Sequence, residues 1–151
     1  MGMVTDTKVR TDHKVAYGTQ NMTKGPAMTR EQAIKGIEAG IAMVEELKNK
    51  GYKILATGEM GIGNTTTSSA VASVLLDQPV EEMTGRGAGL TSEGLVRKIA
   101  AIRKAIELNQ PDPSDAIDVL AKVGGLDIAG MAGVFLGGAV YHVPVIMDGF
   151  I

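Results

Sequence analysis

Between Thr29 and Gly51 apolar residues return every three or four positions: Ile34, Ile37, Ile41, Val44 and Leu47. That spacing predicts a helix with one buried stripe. Thr29-x-x-Gln32 reads as a capping box at its start, and Gly51 fits its C-terminal stop. The rhythm then changes. Tyr52 to Thr57 is a short apolar run that predicts a buried strand, and a glycine-rich loop follows at 58–63. Asn64 or Thr65 caps the next helix, which runs through about Leu76. Pro79 to Thr84 reads as a second strand, and Gly85-Arg86-Gly87-Ala88-Gly89 as a second glycine turn. A helix from about Ser92 to Leu108 comes next, and Asp112-Pro113 restarts the chain as a helix to Val123. Gly124-Gly125 breaks it, small residues build a further helix from about Leu126 to Tyr141, and Val143 to Met147 forms a last strand ending at Asp148-Gly149. Residues 1–27 are polar and irregular, and read as an extended arm ahead of a core over 28–151.

Strands alternating with helices imply an α/β fold whose parallel sheet is covered on both faces. Ligands of such folds bind beyond the carboxyl ends of the strands. The 58–63 loop, the 85–89 loop and Asp148 all stand at predicted strand ends, so they are expected to converge on one crevice. No repeat of 20 to 50 residues is visible.

Composition narrows the picture. At 151 residues with 44% apolar content the chain is long enough for one packed domain. A net charge of -2 with no basic block argues against nucleic acid as a partner. No uninterrupted apolar stretch is long enough for a transmembrane helix, and the N-terminus lacks the layout of a signal peptide. The absence of cysteine excludes disulfides and thiolate metal sites, and fits a cytoplasmic location. Twenty glycines beside 3% aromatics suggest close approach of backbone to something.

Candidate chemistry lies in the two glycine loops. Gly58, Gly61 and Gly63 follow neither the Walker pattern nor G-x-G-x-x-G. Glycines still remove side chains, and a helix starting near Thr65 offers unpaired N–H groups to an anion. Thr65, Thr66 and Thr67 add hydroxyls. A tight strand-to-helix turn with an ordinary cap would use the same residues. Glu59 sharpens the choice, because a carboxylate among donors repels phosphate yet suits ribose hydroxyls or a cationic ring nitrogen. The loop therefore reads as a nucleotide site more readily than a bare phosphate site.

In the second loop Arg86 stands between glycines, and Arg97 and Lys98 follow on the helix. Leu95, Ile99, Ile102 and Ile106 define the expected buried stripe. At about 100° per residue, Arg97 points about 160° from its centre and Lys98 about 60°. Arg97 is expected in solvent, with Glu93 four residues earlier as an ion-pair partner. Lys98 can reach the crevice and hold phosphate as a point charge, although spacing alone favours a solvated lysine. His13 and His142 lack metal-ligand company, and the nine methionines read as core or pocket filling. Gly130, Gly133, Gly137 and Gly138 suggest close helix packing, within the chain or across a dimer. Asp127 and Asp148 read as an N-cap and a turn residue.

Six segments carry a family resemblance: GPAMTREQA (25–33), TGEMGIGNTT (57–66), GRGAGL (85–90), EGLVRKIA (93–100), DVLAKVGGLDIAGMAG (118–133) and VPVIMDGF (143–150). In order and spacing they resemble the nicotinate-nucleotide–dimethylbenzimidazole phosphoribosyltransferases of cobalamin synthesis. The resemblance implies a doubly wound, Rossmann-like α/β homodimer that uses no metal or other cofactor. It implies transfer of the phosphoribosyl group of nicotinate mononucleotide to 5,6-dimethylbenzimidazole, giving nicotinate and α-ribazole 5′-phosphate. Glu59 and Lys98 map onto active-site positions. Gly61, Gly63, Asn64, Thr65 and Thr66 of the first loop, and Arg86, Gly87 and Gly89 of the second, map onto nucleotide contacts, as does Asp148. Typical members are more than twice this length, and the chain resembles their central segment. The family's principal catalytic glutamate lies in a later glycine-rich motif. The resemblance thus leaves Glu59 as an auxiliary group and makes a complementing chain a possible partner. Half of a split enzyme, a non-catalytic nucleotide-binding fragment, and a dimerisation module with vestigial loops are the competing expectations.

Overall fold

A computed structural model describes residues 13–151; the first twelve residues of the predicted arm lie outside the described residues. Six helices and two short strands follow in the order α1 (Arg30–Asn49), β1 (Leu55–Ala56), α2 (Thr65–Leu75), α3 (Val80–Met83), α4 (Ser92–Asn109), α5 (Ala116–Val123), α6 (Leu126–Tyr141) and β2 (Val145–Ile146). Several helix starts are settled by local hydrogen bonds. Thr29 Oγ1 accepts from Gln32 N at 3.2 Å while Gln32 Oε1 accepts from Thr29 N at 3.0 Å, which closes the capping box. Thr91 Oγ1 accepts from Gly94 N at 3.1 Å and starts α4.

Two elements differ from the sequence expectation. The 79–84 segment is not a strand: Glu82 N and Met83 N both donate to Pro79 O, and Thr84 Oγ1 donates to Val80 O. Proline fixes φ near helical values and has no N–H to leave unpaired at a helix start, so the segment turns into α3. The restart near Asp112 is delayed to Ala116, because Asp115 supplies the cap, its Oδ1 accepting from Ile117 N and Asp118 N. Residues 112–115 are a turn, held in part by Ser114 N donating to Asp112 Oδ1 at 2.9 Å.

α1 and α6 form the tightest helix pair. The face that α1 buries is Ala33, Gly36, Gly40 and Val44, and Ile34 of the expected stripe is left exposed. On α6 the buried face is Ala129, Gly133, Gly137 and Gly138. A Cβ on Gly40 would come within 2.1 Å of Gly130 O, and one on Gly133 within 2.0 Å of Ile37 O. Small residues thus bring the two backbones into contact, and that approach sets the rotation of both helices. The glycine stripe is used within the chain.

α5 lies between two core clusters. Val119 and Val123 pack with Met22, Ala27, Ala70, Ile102 and Ala105, while Leu120 and Ala121 pack with Met28, Ala33 and Ala129. The 13–28 stretch is drawn into this core: Ala27 N donates to Lys122 O and Met28 N to Ala121 O. β1 and β2 pair in parallel with Leu55 opposite Val145 and Ala56 opposite Ile146. Among the described residues this is the whole sheet. Being parallel, both strands release their following loops on the same side.

Candidate functional site

The 58–63 loop leaves the carboxyl end of β1 and enters α2, and Asp148 follows the carboxyl end of β2. The 85–89 loop reaches the same place from a helix, since α3 has replaced the predicted strand. Two adjoining cavities result, of about 280 and about 330 Å³. Gly61, Thr65, Gly87 and Ala88 belong to both. Gly63, Thr66, Arg86, Gly89 and Lys98 line the first. Glu59, Asp148, Met60 and Phe150 line the second. Every residue that the resemblance maps onto a site position therefore borders this cleft except Asn64, which stands behind it at the entrance to α2.

Gly87 holds the two loops together. Its φ is +56°, and a Cβ there would lie 2.7 Å from Thr65 Oγ1 and 3.7 Å from Lys98 Nζ. A side chain would occupy the space between the hydroxyl and the ammonium. Arg86 folds back on its own loop, donating to Leu90 O at 2.8 Å and to Ser92 Oγ at 3.1 Å, so it braces the turn while its exposed guanidinium borders the cavity.

Lys98 departs from the solvated position that spacing favours. Gly94, Lys98, Ile102 and Ala105 form the buried face of α4, so the lysine is central to the stripe and only 6% exposed. The stripe keeps Ile102 but turns toward Gly94, Lys98 and Ala105, a rotation that the spacing of large apolar side chains cannot reveal. Nζ donates to Thr65 Oγ1 at 2.7 Å and to Gly85 O at 3.1 Å. An ammonium has three N–H donors, so one remains for the cavity. No carboxylate pairs with it among the described residues. Burial pushes its pKa below the ordinary lysine value, because desolvation disfavours the charged form. Arg97, by contrast, is exposed and 4.0 Å from Glu93.

Glu59 is exposed at the mouth of the cleft and held below the ordinary carboxylate range. The Asn64 side chain is the largest cause, followed by the backbone N–H of Gly61, which donates to Glu59 Oε2. Asn64 gives no side-chain cap to α2; its Nδ2 donates to Asp127 Oδ2 at 2.6 Å. Asp127 is therefore not the N-cap of α6, a position taken by Gly125. The backbone N–H of Asp148 donates to Thr57 Oγ1 at 3.4 Å, which ties the loop after β2 to the end of β1. Among the described residues no three His, Asp or Glu side chains gather as metal ligands, and no helix is long and apolar enough to cross a membrane.

A family model described as phosphoribosyltransferase (DBI_PRT) matches residues 1–151. The chain belongs to this phosphoribosyltransferase family. It is 61% identical over 140 residues to the nicotinate-nucleotide–dimethylbenzimidazole phosphoribosyltransferase of Ruminiclostridium cellulolyticum, covering 93% of this chain and 40% of that protein. The enzyme of the same name from Acetivibrio thermocellus is 62% identical over 138 residues, with 91% and 39% covered. The crystal structure of CobT from Thermus thermophilus superposes with a TM-score of 0.84 at 40% identity, over 91% of this chain and 41% of that one. The chain thus spans about 40% of the length of the curated relatives it matches.

Within this phosphoribosyltransferase-family cleft, three contributors escape sequence reasoning. The Gly85 carbonyl is an atom that any position could supply, and no local spacing marks the Thr57 hydroxyl as a tie to Asp148. Asp127 sits 63 residues from its partner Asn64, and no local spacing signals the contact. The DIAG string around it is visible, but it points equally well to an ordinary helix start.

Proposed function

We propose that this chain binds nicotinate mononucleotide and takes part in transfer of its phosphoribosyl group to 5,6-dimethylbenzimidazole. The observation that carries the reading is Lys98: a buried ammonium without a carboxylate partner among the described residues, beside a cavity of about 280 Å³ lined by glycine backbone and threonine hydroxyls. A buried unpaired cation is costly until an anion meets it. The 5′-phosphate supplies that anion, with Gly61, Gly63, Thr65, Thr66, Gly87 and Gly89 as surrounding donors, and Arg86 and Asp148 at the margins.

The adjoining cavity, with Glu59 at its mouth, takes the ribose. In the transfer the bond from C1′ to the nicotinate nitrogen breaks and a bond from C1′ to a benzimidazole nitrogen forms. Positive charge develops on the sugar between the two events, and an ionised Glu59 stabilises it or holds a ribose hydroxyl. Phosphate anchoring spends remote binding energy on orienting C1′. The attacking base loses its N–H proton to a general base, worth about 10²- to 10⁴-fold in rate. We place that base in the part of the relatives' length that this chain does not span. For the same reason we propose that the two parallel strands belong to a larger doubly wound sheet in a cytoplasmic homodimer, with a complementing polypeptide as partner. No metal or cofactor is required by this scheme.

Calorimetry with nicotinate mononucleotide, followed by an assay for α-ribazole 5′-phosphate, tests the reading. We expect binding by the chain alone, and product when a polypeptide covering the rest of the relatives' length is added. Absence of binding overturns the proposal. Binding without product under both conditions favours a second reading, a non-catalytic nucleotide-binding unit.

A further inference from the structure

Asn64 stands at the N-cap of α2, a position where asparagine normally accepts an N–H from the first turn. Its side chain makes no such bond. Its Nδ2 donates instead to Asp127 Oδ2 on α6 at 2.6 Å, and the same side chain is the largest cause holding the Glu59 carboxyl of the first loop below its ordinary range. An ionised carboxylate only accepts, and a primary amide carries both of its N–H donors on one nitrogen. The two carboxylates therefore select the same end of the amide. The opposite end bears this out: Asn64 Oδ1 is buried with no hydrogen-bond partner. A buried acceptor left without a donor is unfavourable, so something must hold the amide in that orientation.

Asp127 is placed to do so. It stands in the first turn of α6, where the helix N-terminus favours a negative charge. A Cβ on Gly125 would come within 2.2 Å of Asp127 Oδ1, so the neighbouring glycine leaves room for the carboxylate. We propose that Asp127 is a positioning residue, which fixes the orientation of the Asn64 amide and through it holds Glu59 toward the sugar subsite. The role rests on the reading of Glu59 given above. The other charged groups facing this cleft are Asp148 beyond β2, Lys98 on α4 and Arg86 in the second loop.

Electrostatics alone and positioning predict opposite signs. Removing the Asp127 charge would lower the Glu59 pKa through reduced repulsion. Releasing the amide to turn its oxygen toward Glu59 would raise it. The test is a carbon-13 NMR titration of the glutamate carboxyls in the chain and its Asp127→Asn, Asn64→Ala and double variants. We expect Glu59 to titrate below the ordinary carboxylate range in the unmodified chain. Its midpoint should rise in each single variant and rise no further in the double variant than in Asn64→Ala. An Asp127→Asn midpoint that stays or falls overturns the proposal, as does an additive rise in the double variant. Should Asp127→Asn not fold, the Asn64 side-chain amide protons of the unmodified chain decide: they must be protected from exchange and shift with the Glu59 titration, and failure of either overturns it. Calorimetry with nicotinate mononucleotide on the unmodified chain is scored separately, since absence of binding there removes the nucleotide reading and leaves the titration result intact.

Discussion

Burying an ammonium removes most of its hydration, and among the described residues Lys98 Nζ donates only to Thr65 Oγ1 and Gly85 O. At neutral pH the native chain therefore carries a cost that a neutral side chain would not. The sign follows from linkage. The folded pKa of Lys98 is lowered, so the unfolded state binds more protons between the two pKa values and stability rises as pH climbs through the folded value. Lys98→Met should accordingly melt at the same temperature or higher, while affinity for nicotinate mononucleotide drops at least about tenfold, the loss expected for a charge-assisted contact. Calorimetry and thermal melts check both halves. In the unmodified chain that affinity should fade as alkaline pH discharges Lys98, and Lys98→Met should show no such alkaline decline. Loss of stability in Lys98→Met without loss of affinity would return the lysine to a purely structural role.

The helices divide into what a few adjacent residues settle and what a neighbour settles. Caps at Thr29 and Thr91 are legible because their hydrogen bonds close within three residues. The 79–84 segment misleads because Val80 and Met83 suit a strand as well as a helix turn, and Pro79 decides between them. The buried face of α1 misleads for a different reason: large apolar residues mark a stripe in sequence, yet the close approach to α6 favours small ones. The pairing of α1 with α6 allows a direct check. Gly40→Ala, facing it from α1, drives a methyl into the Gly130 carbonyl, and backbone cannot swing aside, so a loss of about 2–3 kcal/mol is expected in urea unfolding. Gly130→Ala adds a methyl with nothing within 4 Å and should be neutral or stabilising by up to about 1 kcal/mol, the helix propensity difference. Equal effects of the two substitutions would contradict the packing described for α1 and α6.

At the scale of the molecule the two-stranded sheet is an exposed part of the apolar structure. Parallel sheets are normally covered on both faces, and two strands are marginal by themselves. Here Ile54, Ile146 and Met147 are exposed along or beside the strands, Met147 by 73%, and Phe150 is exposed beside the cleft. Large apolar side chains exposed beside an open parallel sheet suit an interaction face. Sedimentation velocity of the chain alone should therefore show association that grows with concentration, and the chain should bind a hydrophobic dye. Addition of a polypeptide covering the rest of the relatives' length should suppress the dye signal. A strictly monomeric chain that binds no dye would show that this surface needs no cover.

By itself the sequence determined where many elements start and stop, which loops carry glycine, and which family the segments resemble. These rest on hydrogen bonds within three or four residues and on strings of specific side chains, both readable along the chain. Tertiary structure alone decided how each helix is rotated, that Lys98 is buried beside Thr65, and that Asp127 meets Asn64 across 63 positions. A residue's burial depends on which surface another element brings to it. That partner is chosen by shape and charge after the chain has closed on itself, and no local pattern encodes it.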